Sequence, residues 1–214
     1  ITKYNEYGFR DAMITKDSVW NVDPKHVDIY VKVDEGKKYY IRNIKWVGNT
    51  VYSTDYLSRL LDMKKGDVYN QTYLNKRLSQ DEDAVGNAYW NNGYLFYNLQ
   101  PTEVNIVGDS IDLEMRITEG QQAHINRVKI NGNDRLYENV VRRELRTKPG
   151  DLFSKEALQR SARELASMGH FDPEAINPVP EPNYEDGTVD INYNLKQKSN
   201  DQVELSLGWG QTGV

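Results

Sequence analysis

Cysteine is absent from the 214-residue chain. That excludes disulfides, thiolate nucleophiles and zinc–sulfur sites, while leaving the compartment open. No apolar run approaches the roughly 18 residues of a membrane-spanning helix. Basic charge is in short supply: 27 Lys+Arg against 32 Asp+Glu leave −5, with no electrostatic footprint for nucleic acid. Histidine is scarce, and His26, His124 and His170 form no i, i+4 pair, so no metal site is expected. Neither a P-loop nor a Gly-x-Ser-x-Gly elbow occurs. Gly208-Trp209-Gly210-Gln211-Thr212-Gly213 matches G-x-G-x-x-G only literally, because a dinucleotide site needs a following helix and a distant acid. The acidic run Asp81-Glu82-Asp83 reads as the solvated face of a helix. An initiating Met and a signal peptide are also missing, and the end falls in a strand-like pattern, so a fragment is expected. What is present is aromatic: 15 Tyr and 4 Trp argue against a disordered chain.

An internal repeat organises the rest. Shifted by 84 residues, Glu35-Gly36 falls on Glu119-Gly120, Gly48-Asn49 on Gly132-Asn133, and Gly66-Asp67-Val68-Tyr69 on Gly150-Asp151-Leu152-Phe153. Beyond Leu74, which meets Leu158, the offset falls to 76 and Gly93 meets Gly169. A partial copy precedes both, with residues 27–36 falling on 111–120. The expected units are therefore 1–36, the end of a truncated copy, then 37–120 and 121–198, with a tail over 199–214.

Each full unit reads as strand, helix, helix, strand, strand, giving an α+β fold in which one three-stranded sheet is covered by two helices. Residues 39–47 are aromatic and β-branched and stop at the Gly48-Asn49 turn. Helix one follows Ser53, carries Leu57, Leu60 and Leu61, and is expected to stop at Lys64-Lys65-Gly66. Helix two is expected to run unbroken from about residue 70 to Gly93, about two turns longer than its counterpart from Ser154 to Gly169. Ile111, Leu113, Met115 and Ile117 alternate with polar residues, as in a half-buried antiparallel strand; Val189, Ile191, Tyr193 and Leu195 repeat the pattern.

The motif E-G-x4-I-x2-[IV]-x-[WI]-x-G-N, seen at Glu35-Gly36, Ile41 and Gly48-Asn49 and again at Glu119-Gly120, Ile125 and Gly132-Asn133, resembles the POTRA domain of the Omp85 family. Within that family the chain is similar to the outer-membrane assembly members, and the resemblance covers nearly all of it. It implies tandem POTRA domains on the periplasmic side of the bacterial outer membrane, without catalysis or cofactor. Implied partners are unfolded outer-membrane protein clients, accessory outer-membrane lipoproteins and periplasmic chaperones. The resemblance also implies that 199–214 lead into the first strand of a membrane β-barrel. Val203, Leu205, Leu207 and Trp209 alternate there with Gln202, Glu204, Ser206 and Gly208, and without a barrel 201–214 are expected to be a stray strand. POTRA arrays of secretion transporters in the same superfamily, and a non-catalytic module of a larger enzyme, are the competing readings.

An open sheet edge offers unpaired N–H and C=O groups to an extended chain. The resemblance makes the middle strand of each unit that edge. The expected client-strand positions are Ala12, Ile14 and Lys16 in the truncated unit and Leu99, Thr102 and Val104 in the first full unit. In the last unit Pro178, Pro180 and Pro182 share one parity, which strips N–H donors from one side of a strand and blocks that edge. The same prolines are equally compatible with an irregular loop. The connection between the helices of the last unit, with Arg146, Lys148 and Asp151, is the expected accessory-protein contact. A plain helix–helix turn containing Pro149 is the alternative.

Overall fold

A computed structural model describes residues 1–133 and 137–198. The expected linker and barrel strand over 199–214 lie outside the described residues. The elements are α1 (Thr2–Glu6), β1 (Met13–Asp23), β2 (His26–Asp34), β3 (Tyr40–Val47), α2 (Thr54–Leu61), α3 (Gln71–Asn75), a π-helical turn (Lys76–Gln80), α4 (Val85–Trp90), β4 (Asn98–Val107), β5 (Ser110–Thr118), β6 (His124–Asn131), α5 (Glu138–Glu144), α6 (Lys155–Ser167), a 3-10 turn (Pro173–Ala175), β7 (Asn177–Asn183) and β8 (Thr188–Asn194).

Two three-stranded sheets, ordered β3-β5-β4 and β6-β8-β7, follow a two-stranded hairpin β1-β2. The last strand of each full unit is central. It runs antiparallel to the strand before it but parallel to the unit's first strand, so the sheets are mixed. The helix pair supplies the crossover that a parallel pairing needs. One face of β5 is buried through Ile111, Leu113, Met115 and Ile117, against Leu57, Leu61, Leu74, Val85 and Tyr89. A separate core gathers Val189, Ile191 and Tyr193 of β8 with Val141, Leu145, Leu158, Leu165 and Phe171. The corresponding face of β2 is bare: Val27, Ile29 and Val31 are 54%, 65% and 46% exposed, whereas Ile111, Leu113 and Met115, one repeat later, are 0–1% exposed.

Capping follows the sequence at the starts of helices. Ser53, Asn70 and Ser154 each accept a backbone N–H three residues on. Two expectations need correction. Helix one of the first full unit stops at Leu61, with Asp62 in the left-handed region (φ 52°), before the Lys64-Lys65-Gly66 signal. Asp62 is held there by Tyr73, whose hydroxyl donates to its carboxylate at 2.7 Å. Helix two is not continuous over 70–93. The eight-residue surplus folds as a π turn and then a break, with Asp81 and Ala84 extended at ψ 154° and 151°. Arg77 fixes the detour by donating to the Leu60 carbonyl, to Asp81 at 3.2 Å and to Asp83 at 2.6 Å. Two extra turns in a straight helix would overrun the sheet; the break keeps Tyr89 over the core, fully buried.

The Gly-Asn turn has a steric cause. Gly48 (φ 92°) and Gly132 (φ 81°) lie against the carbonyls of Ile117 and Leu195, where a Cβ would collide with backbone. Next to that turn, Glu119 is 8% exposed and receives the Thr50 N–H at 2.9 Å, the Val51 N–H at 3.0 Å and the Tyr89 hydroxyl at 2.9 Å.

Candidate functional site

Each full sheet has two lateral strands, and they differ. The outer side of β3 is covered at its start by the connection between the helices: Ile41 N–H donates to the Asp67 carbonyl (2.8 Å), Gly66 N–H to Ile41 (2.7 Å) and Tyr69 N–H to Tyr39 (2.9 Å). The same three bonds recur on β6, from Ile125 to Asp151, Gly150 to Ile125 and Phe153 to Ala123. Among the described residues the outer sides of β4 and β7 carry no such backbone bonds, and β1 is their counterpart in the first unit.

The prolines do form a strand: Pro178, Pro180 and Pro182 lie in β7, opposite Tyr193, Ile191 and Val189 of β8. A proline cannot donate, so these three occupy the positions whose N–H would point outward. The ladder to β8 uses the alternate positions, and the outer edge retains carbonyls alone. In β4 the same parity turns Leu99, Pro101 and Glu103 outward in backbone and pairs Gln100 and Thr102 with Arg116 and Glu114. Thr102 is therefore committed to β5. Val104 is the extra residue of a bulge between Glu103 and Asn105, which twists the edge locally. In β1, Ile14, Asp17 and Val19 occupy the equivalent outward parity by register with β2, and Lys16 faces inward to Lys32. Ala12 is not on the edge. The strand begins at Met13, and Ala12 is buried beforehand, its N–H bonded to the Phe9 carbonyl at 3.2 Å.

Beside β4 the edge opens onto clefts under α3 and the π turn. One is lined by Leu78, Trp90, Tyr97 and Leu99, the other by Arg10, Gln71, Thr102 and Glu103. Glu103 accepts from Tyr69 at 2.8 Å and from Arg10 of the truncated unit at 2.7 Å. Burial, then the neighbouring carboxylate, pushes the Tyr69 phenol well up from its ordinary value.

Arg146, Lys148 and Asp151 are exposed on one turn. The Asp151 carboxylate accepts the Lys148 N–H at 3.1 Å, as Asp67 accepts that of Lys64 at 2.9 Å. Arg146 donates its N–H to Ser161 (2.8 Å), and its guanidinium lies 3.5 Å from Glu164. Asp151 thus closes the turn, and the free donors on that surface are cationic.

The repeat leaves little linker between units, but it does not mark the residues that make the joints. Tyr39 N–H donates to the Gly8 carbonyl and Ala123 N–H to that of Gly93, both at 2.8 Å. The second joint adds Lys155, which donates to Asn87 at 2.9 Å and sits 4.5 Å from the Trp90 ring centroid. Burial pulls the Lys155 ammonium down from its ordinary value. Asn91 accepts the Glu156 N–H at the start of α6, capping a helix of the next unit. Asn87 and Asn91 one turn apart were the available signal, hidden because the break before α4 sets which way they face. Among the described residues no cluster of His, Asp and Glu is arranged to hold a metal, and no helix is long and apolar enough to cross a membrane, which says nothing of a β-barrel.

A family model described as "POTRA: Surface antigen variable number repeat" matches residues 39–120 and 123–198. The chain is 29% identical over 215 residues to the outer membrane protein assembly factor BamA of Neisseria meningitidis, covering 99% of the chain and 26% of that protein. It is 24% identical over 204 residues to BamA of Nitratidesulfovibrio vulgaris, covering 95% of the chain and 25% of that protein. The chain spans about a quarter of the length of these curated relatives. Among solved structures, POTRA3-5 of Haemophilus influenzae BamA superposes with a TM-score of 0.75 at 21% identity, over 91% of this chain and 76% of that one.

Proposed function

The chain belongs to the POTRA family, and from that premise we propose that it is the client-guiding region of an outer-membrane β-barrel assembly protein. It lies on the periplasmic side of the outer membrane. Unfolded outer-membrane proteins pair as extended strands with the outer edges of β1 and β4, and β7 turns them away. The units divide near 36 and 120, the hairpin β1-β2 being the end of a preceding POTRA whose bare β2 face calls for its own strand and helices. The cationic turn at Arg146 and Lys148 receives an accessory lipoprotein, and periplasmic chaperones are further partners of the array. The reading contains no catalytic step.

The observation that carries it is the gradation of outward donors. Ile14, Asp17 and Val19 retain theirs in β1, Pro101 removes one from β4, and Pro178, Pro180 and Pro182 empty β7. An added strand draws its affinity from main-chain bonds, so an edge of carbonyls alone offers only half of each ladder repeat. Hydrogen exchange with a synthetic barrel-strand peptide should protect the Val19, Leu99 and Glu103 amides and leave 177–183 unchanged. Replacing Pro178, Pro180 and Pro182 together with Thr should create a new protected edge on β7. Protection of β7 in the unaltered chain would contradict the reading.

A further inference from the structure

We infer that the outer face of the hairpin β1-β2 docks a protein surface that carries two carboxylates beside an apolar anchor. The inference goes beyond the edge reading and takes from it only the placement of β1-β2 as the end of a preceding unit. The first observation is which residues face outward. Val27, Ile29, Val31 and Val33 repeat the core-facing row of β5, so the opposite face of β2 carries Asp28, Tyr30 and Lys32. Their partners on β1 are Trp20, Ser18 and Lys16. Trp20 and Tyr30 are diagonal neighbours on that face and are 50% and 47% exposed. Among the described residues neither ring packs on another, and neither the indole N–H nor the phenol has a hydrogen-bond partner. The apolar row on the other face belongs under a strand and helices, as its counterparts do. The outer face does not: in both full units it stays open to solvent, with Lys45, Arg116 and Lys129 exposed on it.

The second observation is the contrast between units. At the register position of Trp20 the full units have Asn105 and Glu181, and at that of Tyr30 they have Glu114 and Asn192. Single apolar residues on a surface are ordinary. A tryptophan and a tyrosine side by side, where the repeat otherwise places polar residues, are the types that anchor protein interfaces.

The third is charge. Lys16 and Lys32 lie directly opposite one another in the ladder, an arrangement that costs stability. Neither has an ion-pair partner among the described residues. The full units avoid this, with Gln100 opposite Arg116 and Asn177 opposite Asn194. The acids on the face are matched elsewhere. Asp28 stands one repeat before Asp112, which accepts from Arg42 of its unit's first strand at 2.8 Å; Asp190 meets Lys129 at 3.5 Å in the same way. That first strand lies on the far side of the central strand from β1 and its counterparts. Asp34 accepts the Gly36 N–H at 3.1 Å. Two unpaired lysines beside two open rings are complementary to a pair of carboxylates next to an apolar side chain.

The test uses the 214-residue chain and two synthetic peptides of about 15 residues, long enough to hold a helix. Both carry one leucine stripe, flanked by Glu in the first and by Lys in the second. The Glu peptide should shift the Trp20 indole resonance and bind about tenfold more tightly than the Lys peptide. Trp20→Ala should weaken the Glu peptide about tenfold. Lys16→Glu combined with Lys32→Glu should reverse the order of the two peptides. All three side chains are exposed, so the circular dichroism of these variants should match that of the unaltered chain. Binding that survives both Trp20→Ala and the lysine reversal lies on the Val27-Ile29-Val31 row and overturns the inference. So does an absence of binding, or a preference of the same lysines for phosphatidylglycerol vesicles over the Glu peptide. The edge reading is judged separately. The barrel-strand peptide should protect the Leu99 and Glu103 amides equally in Trp20→Ala, and its failure to protect them in the unaltered chain counts against the edges and not against this face.

Discussion

Glu119 shows how much a single residue of the repeat signature carries. Burial raises the pKa of its carboxyl, but the Thr50 hydroxyl, the Val51 and Thr50 N–H groups and the Tyr89 hydroxyl outweigh burial and hold it below the ordinary carboxylate value. A carboxyl lowered in the folded state contributes stability above its unfolded pKa of about 4.3 and loses it as pH falls through the folded value. Acid denaturation should therefore include a component from this site, and Glu119→Gln should remove it. Gln keeps an acceptor, so the cost at pH 7 should be about 1–2 kcal/mol by urea unfolding, shrinking towards pH 3. A constant difference between the two proteins from pH 7 to 3 would refute this role. The sequence marked Glu119-Gly120 as part of the repeat signature, without its bonds. The partners of Glu119 lie about 30 and 70 positions away, at Tyr89 and at Thr50 and Val51, a separation that no local pattern encodes.

Among elements, those legible in the sequence are those with local causes. The Ser53 and Ser154 caps, the alternating central strands and the Gly-Asn turns follow from residue type and spacing. The shared parity of Pro178, Pro180 and Pro182 was legible as a pattern, and their place in a strand opposite β8 gives it a backbone meaning. The break in helix two was not, because Leu78, Val85 and Tyr89 keep an apolar spacing that a straight helix would share. What redirects the chain is Arg77, whose guanidinium meets the Leu60 carbonyl on another helix. Arg77→Ala strands that carbonyl and releases Asp83, so a loss of about 2–3 kcal/mol is expected. Hydrogen exchange should quicken over 76–84 first. Uniform loss of protection through β5 instead would show that Arg77 supports the whole core and not the detour.

At the scale of the molecule, the two joints share a backbone bond and differ in side chains. The first is ionic: Arg10 bridges to Glu103, and Asp11 accepts the Tyr39 hydroxyl at 2.7 Å. At the second, Lys155 meets neutral Asn87 and the Trp90 ring, and Phe96 packs 5.1 Å from Tyr184. Partly exposed ion pairs are screened by salt, whereas apolar packing is not. Residual dipolar couplings recorded at about 0.05 and 0.5 M salt should show the first joint loosening and the second unchanged; an equal response at both would refute the distinction. The shared bond has a different kind of consequence. At Gly8 and again at Gly93, a carbonyl just past the last helix of one unit meets an amide at the start of the next. Donor and acceptor are both inherited whenever a whole period is copied, so an in-frame duplication yields a bead already fitted to its neighbour. The lineage could lengthen this array by copying error alone and leave the side chains around each joint to diverge afterwards, one stiff and one yielding.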